Sequence, residues 1–256
     1  MSTSEIIADG GPLAVSGEPY DAHTRWSPVQ AFGLTVVIAI CGMLAGILVT
    51  MVPAGAAGGT APPESAVVLG LFAAQVTMIA GALWAARARD GSAMPALSLK
   101  GPVQGGRAYF VALGMLLGGL VVLNAILAKV FGHDLTADLK SFAGLIRGPW
   151  GLGALLVIGV GAPLSEELLF RGFLQGALWR SRLGYWGAAL VATAVWAAMH
   201  AGYSVVGLAE VFLIGLVFSA FLRRTGSLWV PMFCHAFYNS ALALGIRYLP
   251  PSLIGF

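Results

Sequence analysis

The chain has 256 residues, of which 58% are hydrophobic and only 10% charged, with a formal net charge of +3. A soluble domain carries roughly 25% charged residues, so this chain cannot cover itself in water and reads as one polytopic membrane bundle. The small positive balance fits loop charge rather than nucleic-acid binding, and the two cysteines, Cys41 and Cys234, lie in apolar runs and imply no disulfide framework.

Residues 1–29 are polar and acidic, with Glu5, Asp9, Glu18 and Asp21. They lack the basic start and short apolar core of a secretory signal, and read as a disordered cytoplasmic tail ahead of an uncleaved first helix. Residues 30–256 form the bundle. Runs apolar enough to span, at roughly 20 residues per span, lie at about 30–52, 67–86, 108–130, 151–179, 185–203, 204–222 and 227–248. Pro163 kinks or divides the over-long fourth run. The expected fold is therefore all-α, a transmembrane helical bundle of about seven to eight helices. The polar connection 131–150 has room for a short amphipathic interfacial helix.

Basic residues set the orientation. Arg87, Arg89, Lys100 and Arg107, then Arg180 and Arg182, then Arg223 and Arg224 all fall on one side of such a bundle. Lys129, Lys140, Arg147 and Arg247 are the minority on the other. The positive-inside rule then puts the N-terminus in the cytoplasm, as in a bacterial inner-membrane protein.

Several ionisable groups interrupt these apolar runs, and each costs roughly 2.5–3.5 kcal/mol at the centre of a lone membrane helix. Glu167 and Arg171 stand at i,i+4 and pair on one helix face. Glu166 points about 100° away, so Arg171 serves one glutamate and leaves the other free to act as a general base. The same triplet in isolation reads equally as a buried salt-bridge knot or the lining of a polar pore. His200 closes the segment Trp196-Ala-Ala-Met-His200, and His235 and Asn239 share a face at i,i+4. Each alone is an ordinary hydrogen-bonding group between helices. Glu210 has no partner within its own helix and reads as structural or gating. Together, a carboxylate and a histidine can activate a water, while a second histidine and an amide hold the oxyanion that forms.

At these residues the chain resembles the CPBP group, which comprises CAAX prenyl-protein endoproteases and the bacteriocin-processing and Abi-type membrane proteases. Glu166-Glu167-Leu168-Leu169-Phe170-Arg171 matches its Glu-Glu-x-x-x-Arg motif. Trp196-Ala-Ala-Met-His200 matches Phe-x-x-x-His, with Trp in place of Phe as a packing substitution that leaves the chemistry untouched. His235-Ala-Phe-Tyr-Asn239 matches the third motif, and the match covers about 150–242.

The resemblance implies an intramembrane endopeptidase in which Glu166 and His200 activate water, His235 and Asn239 stabilise the oxyanion, and Glu167 and Arg171 support the site. Metal-free hydrolysis is the expectation, with no cofactor. The alternative is zinc on Glu166, His200 and His235, although no HExxH is present. The implied partners are the lipid bilayer and a peptide or membrane-protein substrate, prenylated or not. Two other classes compete, a non-catalytic immunity or binding protein on the same fold and a small-solute or proton transporter. Against transport, no inverted repeat or pair of broken helices is found.

Overall fold

The computed structural model describes residues 12–13, 19–56, 61–132 and 137–250. Among these it is all-helical: α1 (Pro28–Ala56), α2 (Glu64–Asp90), a single turn α3 (Ala93–Ala96), α4 (Arg107–Phe131), α5 (Lys140–Arg147), α6 (Gly151–Leu178), α7 (Gly184–Ala198), α8 (Val205–Thr225) and α9 (Trp229–Tyr248). Each of the seven apolar runs becomes one helix, and α5 is the expected short helix in the polar connection.

Among the described residues five helices are long and apolar enough to cross a membrane, namely Pro28–Val52, Glu64–Asp90, Arg107–Phe131, Gly151–Leu178 and Val205–Thr225. The other two differ for separate reasons. The 15 residues of α7 rise about 22 Å, short of the roughly 30 Å hydrocarbon core. His235, Asn239, Ser240 and Arg247 lower the hydropathy of α9. Leu48, Val52, Val121, Val122 and Val130 are exposed on α1 and α4, an apolar surface far beyond what a soluble monomer presents.

The first helix starts where local chemistry dictates. Pro28 occupies the first helical position, and Ser27 and Gln30 exchange reciprocal side chain–backbone hydrogen bonds, which together make a capping box. α1 and α2 then pack along their lengths. Gly46 and Gly70 face each other there, and a Cβ on Gly46 would lie 3.0 Å from the Gly70 carbonyl. Two side-chain-free positions thus let the backbones touch, which is how apolar helices associate where lipid removes the hydrophobic drive.

Residues 19–27, part of the expected tail, are packed rather than loose. Tyr20 is 3% exposed and meets Trp179 and Tyr185 edge-on, while the Trp26 indole donates to the Ala85 carbonyl at 2.8 Å. The remainder of that expectation, for residues 1–11 and 14–18, lies outside the described residues.

α6 is the centre of the bundle. From Glu167 to Leu178 every residue is buried, as expected for a helix enclosed by others rather than bathed in lipid. Pro163 does not divide it. The ring removes the N–H that would bond the Gly159 carbonyl four residues back, and the helix widens to π geometry over Val157–Gly161 and again over Glu167–Leu174. Side chains from neighbouring helices satisfy the disturbed carbonyls: Gln75 of α2 donates to Val157, and Asn239 and Ser240 of α9 donate to Ile158 and Gly159. A π-bulge patched in this way is a recurrent sign of a functional helix.

Candidate active site

The second half of α6 carries three charges into the interior. Glu167 and Arg171 both have side chains 0% exposed, with Oε1 and Nη1 3.2 Å apart. The pair is an ion pair by distance, but no nitrogen of Arg171 makes an aligned hydrogen bond among the described residues. Aromatic faces supply the rest of its environment, the Trp196 ring at 4.0 Å and the Phe218 ring at 5.8 Å. A guanidinium is suited to this because it is planar, weakly hydrated and attracted to π clouds. Gly215 of α8 leaves the space, since a Cβ there would stand 2.6 Å from Arg171 Nη2.

Glu167 has a second partner. Its Oε1 lies 3.0 Å from His235 Nδ1, so the imidazole donates from Nδ1 to the carboxylate. That bond assigns the tautomer and turns the ring's other nitrogen toward Glu166. His235 Nε2 is 3.9 Å from Glu166 Oε2, and the ring stacks on Phe218 with centroids 4.9 Å apart. The two adjacent glutamates thus flank one imidazole, Glu167 at Nδ1 and Glu166 at Nε2.

Glu166 differs from its neighbour in two ways. Its side chain is 16% exposed where that of Glu167 is fully enclosed. Its Oε2 also accepts a 2.7 Å hydrogen bond from the Trp196 indole N–H. Trp196 therefore does more than pack, since phenylalanine, which the resembled motif carries at this position, has no donor to offer Glu166.

His200 joins the group through Trp196. Its Nδ1 is 3.2 Å from the Trp196 carbonyl, and the two rings meet edge to face at 5.1 Å. Asn239 uses an amide N–H on the Ile158 carbonyl at 3.2 Å, which ties α9 to the α6 bulge and leaves one N–H of the amide uncommitted by that bond. Glu210 of α8 is half-buried and engaged in an interaction of its own.

Two residues beyond the sequence motifs border the site. Tyr203, in the turn after α7, stacks its ring edge-on to His200 at 5.4 Å. Its phenol is pushed up to about 12, first by burial and then by the negative charges of Glu166 and Asp138. Asp138, just before α5, accepts from both the backbone N–H and the hydroxyl of Ser204 at 2.8 Å, and Ser204 caps α8. The connection between α4 and α6 is thereby pinned beside the His200–Tyr203 turn. A tyrosine three residues beyond a motif histidine carries no signal in sequence; only the turn brings it back.

Zinc on Glu166, His200 and His235 would need those donors around one point. Among the described residues no three His, Cys, Asp or Glu side chains are grouped so as to hold a metal ion.

Residues 148–241 match the family described as Rce1-like, type II CAAX prenyl endopeptidase. This stretch coincides with the three motifs, and the resemblance read from them holds. An Escherichia coli protein described as "Uncharacterized 24.3 kDa protein" is 36% identical over 127 residues, covering 48% of this chain and 54% of that one. The Bacillus subtilis (strain 168) "Putative membrane peptidase YdiL" is 27% identical over 90 residues, covering 35% and 36% respectively. The chain therefore spans about half the length, or less, of these curated relatives. No solved structure matches it.

Proposed function

Starting from an Rce1-like core at residues 148–241, we propose that this protein is an intramembrane endopeptidase that hydrolyses a peptide bond with Glu166-activated water. The observation that carries the reading is the division of labour between adjacent glutamates. Glu167 is sealed against Arg171 and His235, whereas Glu166 keeps an exposed edge beside the same imidazole.

In this scheme Glu166 accepts a proton from a water molecule as the water oxygen bonds to the scissile carbonyl carbon. Negative charge collects on the carbonyl oxygen, where the second N–H of Asn239 is one donor and His235 is the other, as an imidazolium that keeps Nδ1–H on Glu167 and carries a further proton on Nε2. The intermediate collapses by breaking the C–N bond, and Glu166 returns its proton to the leaving amine. His200, whose ring meets the edge of Trp196, helps Glu166 activate the water. No step needs a metal ion. The substrate is a peptide or membrane protein, prenylated or not, that enters the bundle from the cytoplasmic side.

The test is cleavage of a panel of membrane-tethered and prenylated reporter peptides by the detergent-purified chain, beside Glu166→Gln, each with and without a zinc chelator. We expect the variant to lose about 10²-fold or more, the usual contribution of a general base, and the chelator to change nothing. Loss of wild-type cleavage on chelation would revive a metal mechanism. Full cleavage by Glu166→Gln would end the reading.

A further inference from the structure

We infer that Trp196 is a positioning residue for Glu166: its indole N–H holds one oxygen of the carboxylate so that the other faces the water. The inference rests on the reading of Glu166 as the base and extends it to a residue outside the proposed chemistry.

A glutamate side chain has three rotatable bonds, and as a base it must present an oxygen in one direction. A 2.7 Å hydrogen bond from an indole to Glu166 Oε2 is short in the manner of charge-assisted bonds. It fixes the position of that oxygen and so narrows the directions in which the other can point. The donor is itself held from several sides. Trp196 is 3% exposed, the Arg171 guanidinium lies over its ring at 4.0 Å, and the rings of His200 and His235 meet it edge-on at 5.1 and 5.7 Å. The slot for the bicyclic ring is built: a Cβ at Gly215 would stand 2.9 Å from Trp196 Cζ3. One side chain thus bridges the ion pair that keeps charge in the interior and the carboxylate that uses it.

Trp196→Phe tests this, because it keeps an aromatic face over Arg171 and removes only the donor and the second ring. In the reporter assay kcat should fall about ten- to hundredfold, the size of a hydrogen bond to a charged group, with KM within about twofold of wild type. A purely structural residue would lower the melting temperature without that split. Independently of activity, the full chain labelled at its indole nitrogens should give a Trp196 signal, identified by its absence in Trp196→Phe, that moves in Glu166→Gln. Trp196→Tyr identifies the signal if Trp196→Phe does not fold. A kcat in Trp196→Phe within about threefold of wild type would overturn the inference, and so would an indole signal that stays in place in Glu166→Gln. Failure of the peptidase reading looks different: wild type cleaves nothing, and the indole signal alone decides whether Trp196 holds Glu166.

Discussion

Replacing Glu167 by glutamine should unfold this protein far more readily than the same change one residue earlier. Glu167 and Arg171 are both fully enclosed, and their charged atoms are 3.2 Å apart. The amide can still accept from His235 Nδ1, so the main loss is the negative charge. Among the described residues Arg171 is then a buried cation with two aromatic faces beside it and Glu166 as the remaining carboxylate in its field. Removing one partner of a buried pair costs about 3–5 kcal/mol. At roughly 2–4 °C per kcal/mol for a chain of this size, the melting temperature should drop by about 6–20 °C. Glu166→Gln leaves an amide oxygen for the Trp196 indole and strands no charge, so it should cost about 1 kcal/mol or less. Combining Glu167→Gln with Arg171→Met removes the orphaned cation and should recover much of the loss, because a buried pair replaced by matched neutral groups is often neutral. The assay is the fraction of detergent-purified protein that stays monodisperse after heating, across the three variants. If Glu167→Gln melts within about 2 °C of wild type, or Glu166→Gln falls equally far, the assignment of separate roles is wrong.

Three further outcomes follow from the geometry. Gly215→Ala places a methyl group 2.6 Å from Arg171 Nη2 and Thr193 Cγ2, and such overpacking should cost about 1–3 kcal/mol and lower reporter cleavage together with the melting temperature. Asn239→Ala leaves the Ile158 carbonyl without its donor, at about 1–3 kcal/mol; an unchanged melting temperature would mean that this bond does not hold α9 on the bulge. The Tyr203 phenol, pushed from its ordinary 10.0 up to about 12, keeps its proton longer in the folded state than in the unfolded one. Its contribution is therefore intact below pH 10 and lost as pH rises toward about 12. Tyr203→Phe should flatten that alkaline decline in a pH series of melts.

Much of the bundle was legible because a membrane imposes a simple rule on sequence. Every backbone group must be satisfied within the segment, so each apolar run became a helix, although the first begins at Pro28, ahead of the run read from about residue 30, where Ser27 and Gln30 cap it. The pairing of Glu167 with Arg171 was equally local, fixed by the i,i+4 period of one helix. Pro163 marks the limit of that kind of reasoning. Proline removes a hydrogen bond wherever it stands, but whether the helix breaks depends on what can replace it, and here Ser240 donates to the Gly159 carbonyl from 81 residues away.

The sequence by itself determined that this chain lives in a membrane, that it carries charges no lipid would tolerate, and that Glu166 and Glu167 cannot both serve Arg171. These follow from composition and helical periodicity, which neighbouring residues settle among themselves. Which glutamate is sealed and which keeps an open edge was decided by tertiary structure. His235 reaches Glu167 from 68 residues away, and Trp196 reaches Glu166 from 30. Such contacts depend on how helices rotate and close on one another, set by side-chain shape at Gly215, Phe218 and Trp196. No period within a single helix encodes that rotation, so the donor on Trp196 became visible only once α6, α7, α8 and α9 were packed around it.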